Sequence, residues 1–327
     1  MTMNASRQSF EGLFFLPGRW RPFVSGFTLL MTLWICSSPA LADLRMATWN
    51  VEWLFDEVVN SRDSDLEASM SAPSRVAYES RIRRIARAIA DIKPDFMALQ
   101  EIEGANVLAD LAARLLAYHG QDYGYAFVPG VDTYTGQEVG LLFRSGWRVR
   151  AKRFRFDKHA IPGGRNLSKH LHVVAQRHGR KLSLVVVHLI TERQKRLQQA
   201  RTLRHWLRQF EDVSLVVMGD MNSRLAGNEL TPDSDLGTLL GWQTVTKSDD
   251  LYDSHQQLGR QATHVSGAPL DRILLSEDLW NRLDRVTTRR ALAVQGRVDH
   301  QRSVDYSLPE SEQDLSDHYP LIVDLSD

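Results

Sequence analysis

The stretch Leu215-Val-Val-Met-Gly-Asp-Met-Asn222 joins four consecutive apolar residues to a glycine, an aspartate and an asparagine. Four apolar residues in a row leave no polar face on a strand, so this stretch predicts a strand buried on both sides. Leu182-Ser-Leu-Val-Val-Val-His188 follows the same pattern and ends in a histidine. Both stretches therefore predict buried strands that end in polar side chains.

Other apolar runs also lead into polar side chains. These runs end at Asn50 and Glu52, at Gln100 and Glu101, at Asp271, and at Asp317 and His318. A single aspartate or asparagine after a strand is usually a turn or helix-cap residue. Six such ends in one chain favour a ligand site, because strand ends meet at one edge of an α/β sheet.

Helical patterns separate the apolar runs. In the segment 78–92, isoleucines recur at spacings of three and four residues, and Lys93-Pro94 ends the pattern. Residues 105–117 and 192–210 repeat it, whereas the Ser-, Asp- and Glu-rich residues 58–74 predict an exposed loop. Strands interleaved with helices predict a layered α/β domain.

The composition is that of a folded globular protein. The chain has 327 residues, of which 43% are hydrophobic and 24% charged, with 40 basic and 40 acidic side chains. These values exclude a disordered, collagen-like or multi-span membrane chain. No Pro/Gly/Ser linker divides the chain after residue 43, so we expect one domain over 43–327 and a monomer.

The N-terminal segment has the three parts of a secretory signal. Arg19 and Arg21 precede the apolar residues 23–35, and the small-residue site Ala40-Leu41-Ala42 follows. The apolar run is shorter than the roughly 20 residues that span a bilayer, so we expect cleavage after Ala42 and no stable membrane anchor. An uncleaved anchor is the alternative. We expect a periplasmic or secreted protein, with residues 1–42 as the signal peptide.

Cys36 is the only cysteine of the chain. Lipid attachment at Cys36 is disfavoured, because Trp34 and Ile35 precede it where small residues are needed. Cleavage after Ala42 removes Cys36 and leaves no disulfide, so the exported chain must be stabilised by its core.

The charges are unevenly distributed. Residues 144–210 contain eighteen Lys and Arg but only two acids, Asp157 and Glu192. Such a basic segment is typical of a surface that meets a polyanion. A set of solvated strand and helix faces explains the charge equally well, so both readings stay open.

The residue types at the strand ends indicate metal-assisted hydrolysis of an anionic ester. Carboxylates and amides without cysteine suit Mg²⁺, with Mn²⁺ or Ca²⁺ as alternatives, rather than Zn²⁺. The sequence contains no GxxxxGK[ST] loop, no GxGxxG after a strand, no GxSxG and no HExxH. Nucleotide-driven transfer, dinucleotide redox chemistry, serine hydrolysis and zinc peptidase chemistry are therefore disfavoured.

Seven motifs in order resemble the endonuclease/exonuclease/phosphatase superfamily, whose fold is that of pancreatic deoxyribonuclease. They are Thr48-Trp-Asn-Val-Glu52, Leu99-Gln-Glu101, Val139-Gly-Leu-Leu-Phe143, Val187-His188, Gly219-Asp-Met-Asn222, Leu270-Asp271 and Ser316-Asp-His-Tyr-Pro320. The resemblance spans residues 45–325. It implies a four-layer α/β sandwich in which two packed mixed or antiparallel β-sheets are flanked by helices.

The resemblance also implies a role for each strand-end residue. The implied metal ligands are Asn50, Glu52, Glu101 and Asp317. The implied catalytic residues are His188 at the scissile phosphate, Asp220 at the attacking water, Asn222 at a phosphate oxygen or the metal, and His318 with its orienting carboxylate Asp271. Tyr134 resembles a phosphate-contacting tyrosine, and either Gln137 or Glu138 matches the family's partner of the first histidine.

The superfamily hydrolyses DNA, RNA, inositol phosphates and sphingomyelin, so the substrate depends on other features. The basic segment contains His188 and continues into the predicted helix with Arg193 and Arg196, which we expect to bind substrate. An extended polyanion therefore fits best, and we expect an exported, sequence-nonspecific nuclease with DNA or RNA as its partner. An exported phosphatase or lipid phosphodiesterase acting on a small or membrane phosphoester is the alternative. A catalytically silent binding module is disfavoured, because every core motif position is filled.

Overall fold

In the part of the chain that the structure describes, twelve strands form two central sheets. The computed structural model describes residues 44–59, 69–132, 134–154, 163–210, 213–225, 230–259, 261–294 and 304–326. The predicted signal peptide, residues 1–42, and residues 60–68 of the predicted loop lie outside these ranges. Within them, no helix combines the length and the apolarity that a membrane span requires.

The first sheet has the strand order β11-β12-β1-β2-β4-β3. Its strands are β1 (Leu44–Leu54), β2 (Phe96–Ile102), β3 (Tyr123–Ala126), β4 (Glu138–Arg144), β11 (Leu283–Thr288) and β12 (Leu321–Leu325). Only β1 and β2 run parallel; the other neighbours are antiparallel.

The second sheet has the order β5-β6-β7-β8-β10-β9. Its strands are β5 (Arg148–Lys152), β6 (His170–Arg177), β7 (Arg180–His188), β8 (Leu215–Asp220), β9 (Tyr252–Asp253) and β10 (Asp271–Leu275). Here β7 and β8 are the parallel pair. The buried strands predicted from residues 182–188 and 215–218 are thus central neighbours.

Six α-helices within the described ranges accompany the sheets. They are α1 (Arg75–Ile92), α2 (Ala105–His119), α3 (Arg193–Leu207), α4 (Asp235–Leu240), α5 (Glu277–Trp280) and α6 (Arg290–Ala293). Helix α1 starts after Ser74, whose side chain accepts the Ala77 N–H, and ends at Lys93 in the left-handed conformation. A proline follows Lys93 and prevents the helix from continuing.

Three apolar layers hold the sandwich together. Along β1, Leu44 and Met46 pack between the two sheets, whereas Ala47 and Trp49 pack under α1 and α2. This alternation is the two-residue period of a strand that is covered on both faces. The third layer lies between the second sheet and α3 and α4. The predicted four-layer α/β sandwich of two mixed sheets flanked by helices is confirmed.

Candidate active site

Strand register brings three of the predicted catalytic residues into one row. His188 at the end of β7 lies opposite Asp220 at the end of β8, and Asp220 lies opposite Asp271 at the start of β10. The first sheet contributes Asn50, whose Nδ2 donates to Asp220 Oδ2 across the sandwich at 3.1 Å. The row therefore joins both sheets at one end.

The segment 316–318 is attached to β1 by its backbone. Ser316 Oγ donates to the Asn50 carbonyl at 2.6 Å and accepts the His318 N–H at 3.0 Å. Trp49 Nε1 donates to the His318 carbonyl at 2.9 Å. These contacts fix Asp317 and His318 beside the strand ends.

The backbone around the site adopts a conformation that non-glycine residues rarely adopt. Glu52, Trp53, Glu101 and Asn222 have φ of 44°, 50°, 60° and 50°. Such residues cluster at functional sites, where the surrounding structure imposes the conformation. Glu52, Trp53 and Glu101 lie where the registers of β1 and β2 shift, and Asn222 follows the end of β8.

Asn50 connects two acidic side chains. Its Nδ2 donates to Glu101 Oε1 at 3.0 Å as well as to Asp220, and its Oδ1 accepts the Glu52 N–H at 3.0 Å. Asn50 thus connects these carboxylates by hydrogen bonds, and the metal-ligand role expected for it stays a prediction. Glu52 Oε2 accepts the Asp317 N–H at 3.1 Å, so these two acids are also adjacent.

Glu101 and Asp220 are carboxylates whose burial is not compensated by enough nearby positive charge. Burial raises the pKa of Glu101 to about 7, although the Asn50 hydrogen bond opposes the shift. Burial also raises the pKa of Asp220 to about 6, against the nearby positive charge of His318. Buried carboxylates with raised pKa values are the sign of a site that gains from a cation.

His318 and Asp271 form a buried pair. His318 Nδ1 lies 2.8 Å from Asp271 Oδ2, and its Nε2 lies 3.7 Å from Asp220 Oδ2. Burial disfavours a charged His318, but Asp271 and Asp220 outweigh burial and hold its pKa well above the ordinary value. His318 is therefore an imidazolium whose free nitrogen faces Asp220.

His188 has the opposite electrostatics. Its Nε2 lies 3.6 Å from Asp220 Oδ2 and 3.8 Å from Glu101 Oε1. Burial, with the positive charges of Lys169 and His318, lowers its pKa well below the ordinary value, so the ring is neutral. Two histidines in different charge states thus share Asp220.

A profile of the Endonuclease/Exonuclease/phosphatase family matches residues 47–318. The chain belongs to this family. Its members are phosphoester hydrolases and generally depend on divalent metals. No curated protein matches the chain in sequence.

Several solved structures share the fold. D. rerio TDP2, complexed with a single-strand DNA product, is 18% identical with a TM-score of 0.55, and the match covers 88% of this chain and 100% of that one. The catalytic domain of human nocturnin is 18% identical with a TM-score of 0.54, covering 87% and 94%. An endonuclease/exonuclease/phosphatase family protein from Bacteroides thetaiotaomicron is 16% identical with a TM-score of 0.55, covering 87% and 97%.

The donor set fits the divalent cation on which the family generally depends. Glu101, Glu52 and Asp317 line a cleft of about 700 Å³ that opens beside Trp53 and Tyr306. They offer carboxylate oxygens only, which suits a hard cation. Burial raises the pKa of Glu101, and a bound cation would offset this cost of burying the carboxylate.

Sequence reasoning missed His264, which lies in the loop before β10. Its Nδ1 accepts the Ser266 N–H at 2.9 Å, which leaves Nε2 as the donor to Asp317 Oδ2 at 3.3 Å. The ring also packs edge-on against His318, with centroids 4.6 Å apart. His264 thus orients the carboxylate of Asp317, and no motif around a lone loop histidine signals this role.

Lys169 was also missed. Its Nζ lies 2.7 Å from Gln137 Oε1 and 3.0 Å from Asp132 Oδ2, and its side chain is only 11% exposed. Glu138 Oε1 instead accepts the Gly130 N–H at 2.5 Å. His188 Nδ1 has no hydrogen-bond partner in the described part of the chain, so neither Gln137 nor Glu138 pairs with it.

The predicted substrate-binding residues differ in position. Tyr134 is 74% exposed, and Arg193 is exposed at the start of α3. Arg196 is buried and forms an ion pair with Asp235, so the prediction that Arg196 binds substrate is wrong. Its helix turns this side chain towards α4, which the charge of the segment alone does not reveal.

Asn222 lies beside Asp220, as expected for a residue of the reaction centre. Its backbone N–H donates to Asp220 Oδ1 at 2.8 Å, and its Nδ2 donates to the Leu189 carbonyl at 2.8 Å. The side-chain amide is therefore fixed next to the strand end that bears His188.

Proposed function

We propose that this protein is an exported, divalent-metal-dependent phosphodiesterase that cleaves nucleic acid without sequence preference. The observation that carries the proposal is the arrangement around Asp220. A buried carboxylate with a raised pKa faces the imidazolium of His318 and the neutral ring of His188. One group that accepts a proton and others that donate hydrogen bonds are what hydrolysis of an anionic ester requires.

Glu101, Asp317 and Glu52 are the residues that would hold the cation, with Mg²⁺ as our first choice and Mn²⁺ or Ca²⁺ as alternatives. When bound, the cation supplies Lewis-acid neutralisation of the phosphate charge. His264 orients Asp317, and Asn50 and the Trp53 N–H hold Glu101 through its two carboxylate oxygens.

The protein's own groups account for the proton movements. Asp220 orients a water molecule in line with the phosphorus and accepts its proton, for which a pKa of about 6 is well suited. His318, held by Asp271, donates a hydrogen bond to a phosphoryl oxygen. His188 Nε2 donates a second one, and Asn222 contributes an amide beside them.

The proposed substrate class rests on a structural neighbour and on the charges near the site. D. rerio TDP2, which has the same fold, is complexed with a single-strand DNA product. Here Tyr134 and Arg193 are exposed, and Lys169 places a positive charge near His188. The basic segment contains no series of aromatic residues for base stacking, so cleavage without sequence preference fits best.

A substrate panel tests the proposed activity. Purified protein lacking residues 1–42 is incubated with plasmid DNA, RNA, phosphomonoesters and sphingomyelin vesicles, with Mg²⁺ and with EDTA. We expect cleavage of nucleic acid that EDTA abolishes. Hydrolysis of phosphomonoesters or sphingomyelin with intact nucleic acid would instead establish the exported phosphatase or lipid phosphodiesterase.

Export is tested separately. We expect protein recovered from outside the cytoplasm of producing cells to begin at Asp43 on N-terminal sequencing. Protein that begins at Met1 and stays in the cytoplasmic fraction contradicts the export part of the proposal only.

A further inference from the structure

Helix α3 carries two exposed arginines, Arg193 and Arg201, but its other two arginines are paired with acids. Arg196 pairs with Asp235, and Arg204 lies 2.7 Å from Asp249. Arg208 lies 3.6 Å from the same Asp249 carboxylate. Acids from outside the segment thus neutralise much of this helix.

A second group of exposed cations lies on the second sheet. Arg148, Arg150 and Lys152 alternate along β5, and all three side chains are exposed. Val149, between them, packs into the layer between the sheets, so the three cations point to the outer face. None of the three has an ion-pair or hydrogen-bond partner among the described residues.

A fourth cation extends this outer face towards β7. Arg148 lies opposite Gln176 of β6, and Gln176 lies opposite Lys181 of β7, so these side chains share one row. Lys181 is exposed and likewise has no partner among the described residues. We call the surface formed by these four cations the basic face: Arg148, Arg150, Lys152 and Lys181.

The basic face has the regular spacing of a binding surface for a charged polymer. Side chains two residues apart on a strand are separated by about 6.7 Å, so β5 presents a straight row of three cations. A cavity of about 480 Å³ adjoins the row at the β6–β7 turn, lined by Arg148, Arg177 and Lys181 among others. Helices α3 and α4 pack elsewhere on this sheet, around Val185, Val187 and Val217.

We propose that the basic face docks the phosphate backbone of nucleic acid at a distance from the reaction centre. Lys181 and His188 are seven residues apart on β7, which corresponds to about 23 Å along the strand. The inference rests on the proposed nuclease function and adds a second contact region to it.

The charge and the residue composition of the basic face favour nucleic acid over a membrane as its partner. Four unneutralised cations match a phosphate backbone, whereas membrane-surface binding also needs apolar side chains that insert. The large apolar residues that are exposed in the described part of the chain lie on other elements; none is on β5, β6 or β7. Charged side chains on an edge strand also prevent it from pairing with a strand of another molecule. The variant that tests the proposal must therefore keep charged residues on β5.

The test reverses the charge of β5. The β5 variant is Arg148→Glu, Arg150→Glu, Lys152→Glu, which keeps this edge strand charged. The matched control, called the α1 variant, is Arg83→Glu, Arg87→Glu, Lys93→Glu, which makes the same charge change on and just after α1. DNA affinity is measured by fluorescence anisotropy in EDTA against salt, with a 30-base-pair duplex and with a hairpin whose stem has six base pairs.

We expect the β5 variant to bind the 30-base-pair duplex at least roughly tenfold more weakly, with a salt slope flatter by about 2.7, because each lost contact removes about 0.9. The six-base-pair stem, which is about 20 Å long, should lose less affinity, because it can reach Lys152, in register with Val185, but not Arg148, in register with Lys181. The α1 variant and the hydrolysis of bis(4-nitrophenyl) phosphate with Mg²⁺ should be unchanged.

An unchanged salt slope in a β5 variant that still cleaves DNA overturns the docking role of the basic face and leaves the proposed nuclease function intact. A wild-type protein that neither binds nor cleaves DNA removes the nuclease proposal, and this inference with it. Loss of binding to phosphatidylserine vesicles without loss of DNA binding assigns the face to a membrane. If circular dichroism shows that the triple variant does not fold, Lys181→Glu alone should flatten the slope by about 0.9, and an unchanged slope overturns the proposal.

Discussion

Asp220 lies between two histidines, of which one is positively charged and the other is neutral. His318 is an imidazolium because Asp271 and Asp220 outweigh its burial, whereas burial and nearby cations keep His188 neutral. Only one of the two rings has a carboxylate on its second nitrogen, at 2.8 Å. This asymmetry gives the two rings different charge states, although they lie at similar distances from Asp220, 3.6 and 3.7 Å.

Asp220→Asn and His318→Ala should each reduce turnover by at least ~10²-fold, the usual scale for one acid–base group. The measurement is steady-state hydrolysis of plasmid DNA, with circular dichroism to show that each variant is folded. Near-normal turnover in a folded variant would place the reaction centre elsewhere.

His264 provides a second prediction at the residue scale. His264→Phe keeps the ring that packs on His318 but loses the hydrogen bond to Asp317, so Mn²⁺ affinity should fall about tenfold or more. His264→Gln retains a donor and should recover most of that affinity. Mn²⁺ binding is measured by electron paramagnetic resonance; equal affinities in all three proteins contradict the positioning role.

At this scale the sequence identifies residues that end strands, and it fails for residues placed by tertiary contacts. His188 and Asp220 were predictable because apolar runs lead into them. Arg196 was misassigned because its partner Asp235 lies 39 residues away. His264 carries no local signal, since only the fold brings it next to Asp317.

At the scale of elements, the parallel pair β7–β8 depends on one glycine. Gly219 has a φ of +145°, and a Cβ there would lie 1.9 Å from the Val187 carbonyl oxygen. The glycine lets β8 approach β7 closely directly before Asp220. This close approach therefore lies in the strand that positions the proposed base.

Gly219→Ala should lower the free energy of unfolding by at least about 2 kcal/mol, from the unfavourable φ and the contact with Val187 together. Gly267→Ala is the matched control: its φ is +82° but its Cβ would meet nothing within 4 Å. The control should lose about 1 kcal/mol. Urea denaturation compares them, and equal losses would show that the close approach is unimportant.

Two buried histidines on β6 make the stability of the second sheet depend on pH. Burial lowers the pKa of both His170 and His172 to about 4, so both are neutral when folded. The unfolded chain binds their protons from about pH 6.5 downwards. The contribution of these two neutral histidines to the free energy of unfolding is therefore fully present above about pH 6.5 and is lost as the pH falls towards 4.

His172→Phe should make this loss shallower by about 1.4 kcal/mol per pH unit between pH 6 and pH 4.5. The control is His205→Phe, because His205 is exposed on α3. The free energy of unfolding is measured across this range. A slope in His172→Phe equal to that of the wild type contradicts the buried neutral state.

Element boundaries were predictable where burial was complete. The helix expected over 78–92 begins three residues earlier, at Arg75, because Ser74 caps it. The strands β5 and β11 were not predicted, since both are edge strands with several exposed polar residues. A strand with one neighbour needs less apolar surface, so its sequence resembles a loop.

At the scale of the whole molecule, the sandwich brings residues from both sheets to one end. Asn50 and Glu101 come from the first sheet and His188, Asp220 and Asp271 from the second. The layered α/β class followed from strand and helix patterns alone. The mixed topology came only from family resemblance, because apolar runs do not distinguish parallel from antiparallel neighbours.

The central claim is that these converging carboxylates form a divalent-metal centre for phosphodiester hydrolysis. The most direct measurement is the turnover of bis(4-nitrophenyl) phosphate by exhaustively dialysed protein, in EDTA and over a Mg²⁺ titration, with Glu101→Gln alongside. We predict no turnover in EDTA, full recovery with Mg²⁺, and a Mg²⁺ requirement at least about tenfold higher in Glu101→Gln. Full turnover in EDTA, or an identical Mg²⁺ titration for folded Glu101→Gln, would contradict the claim.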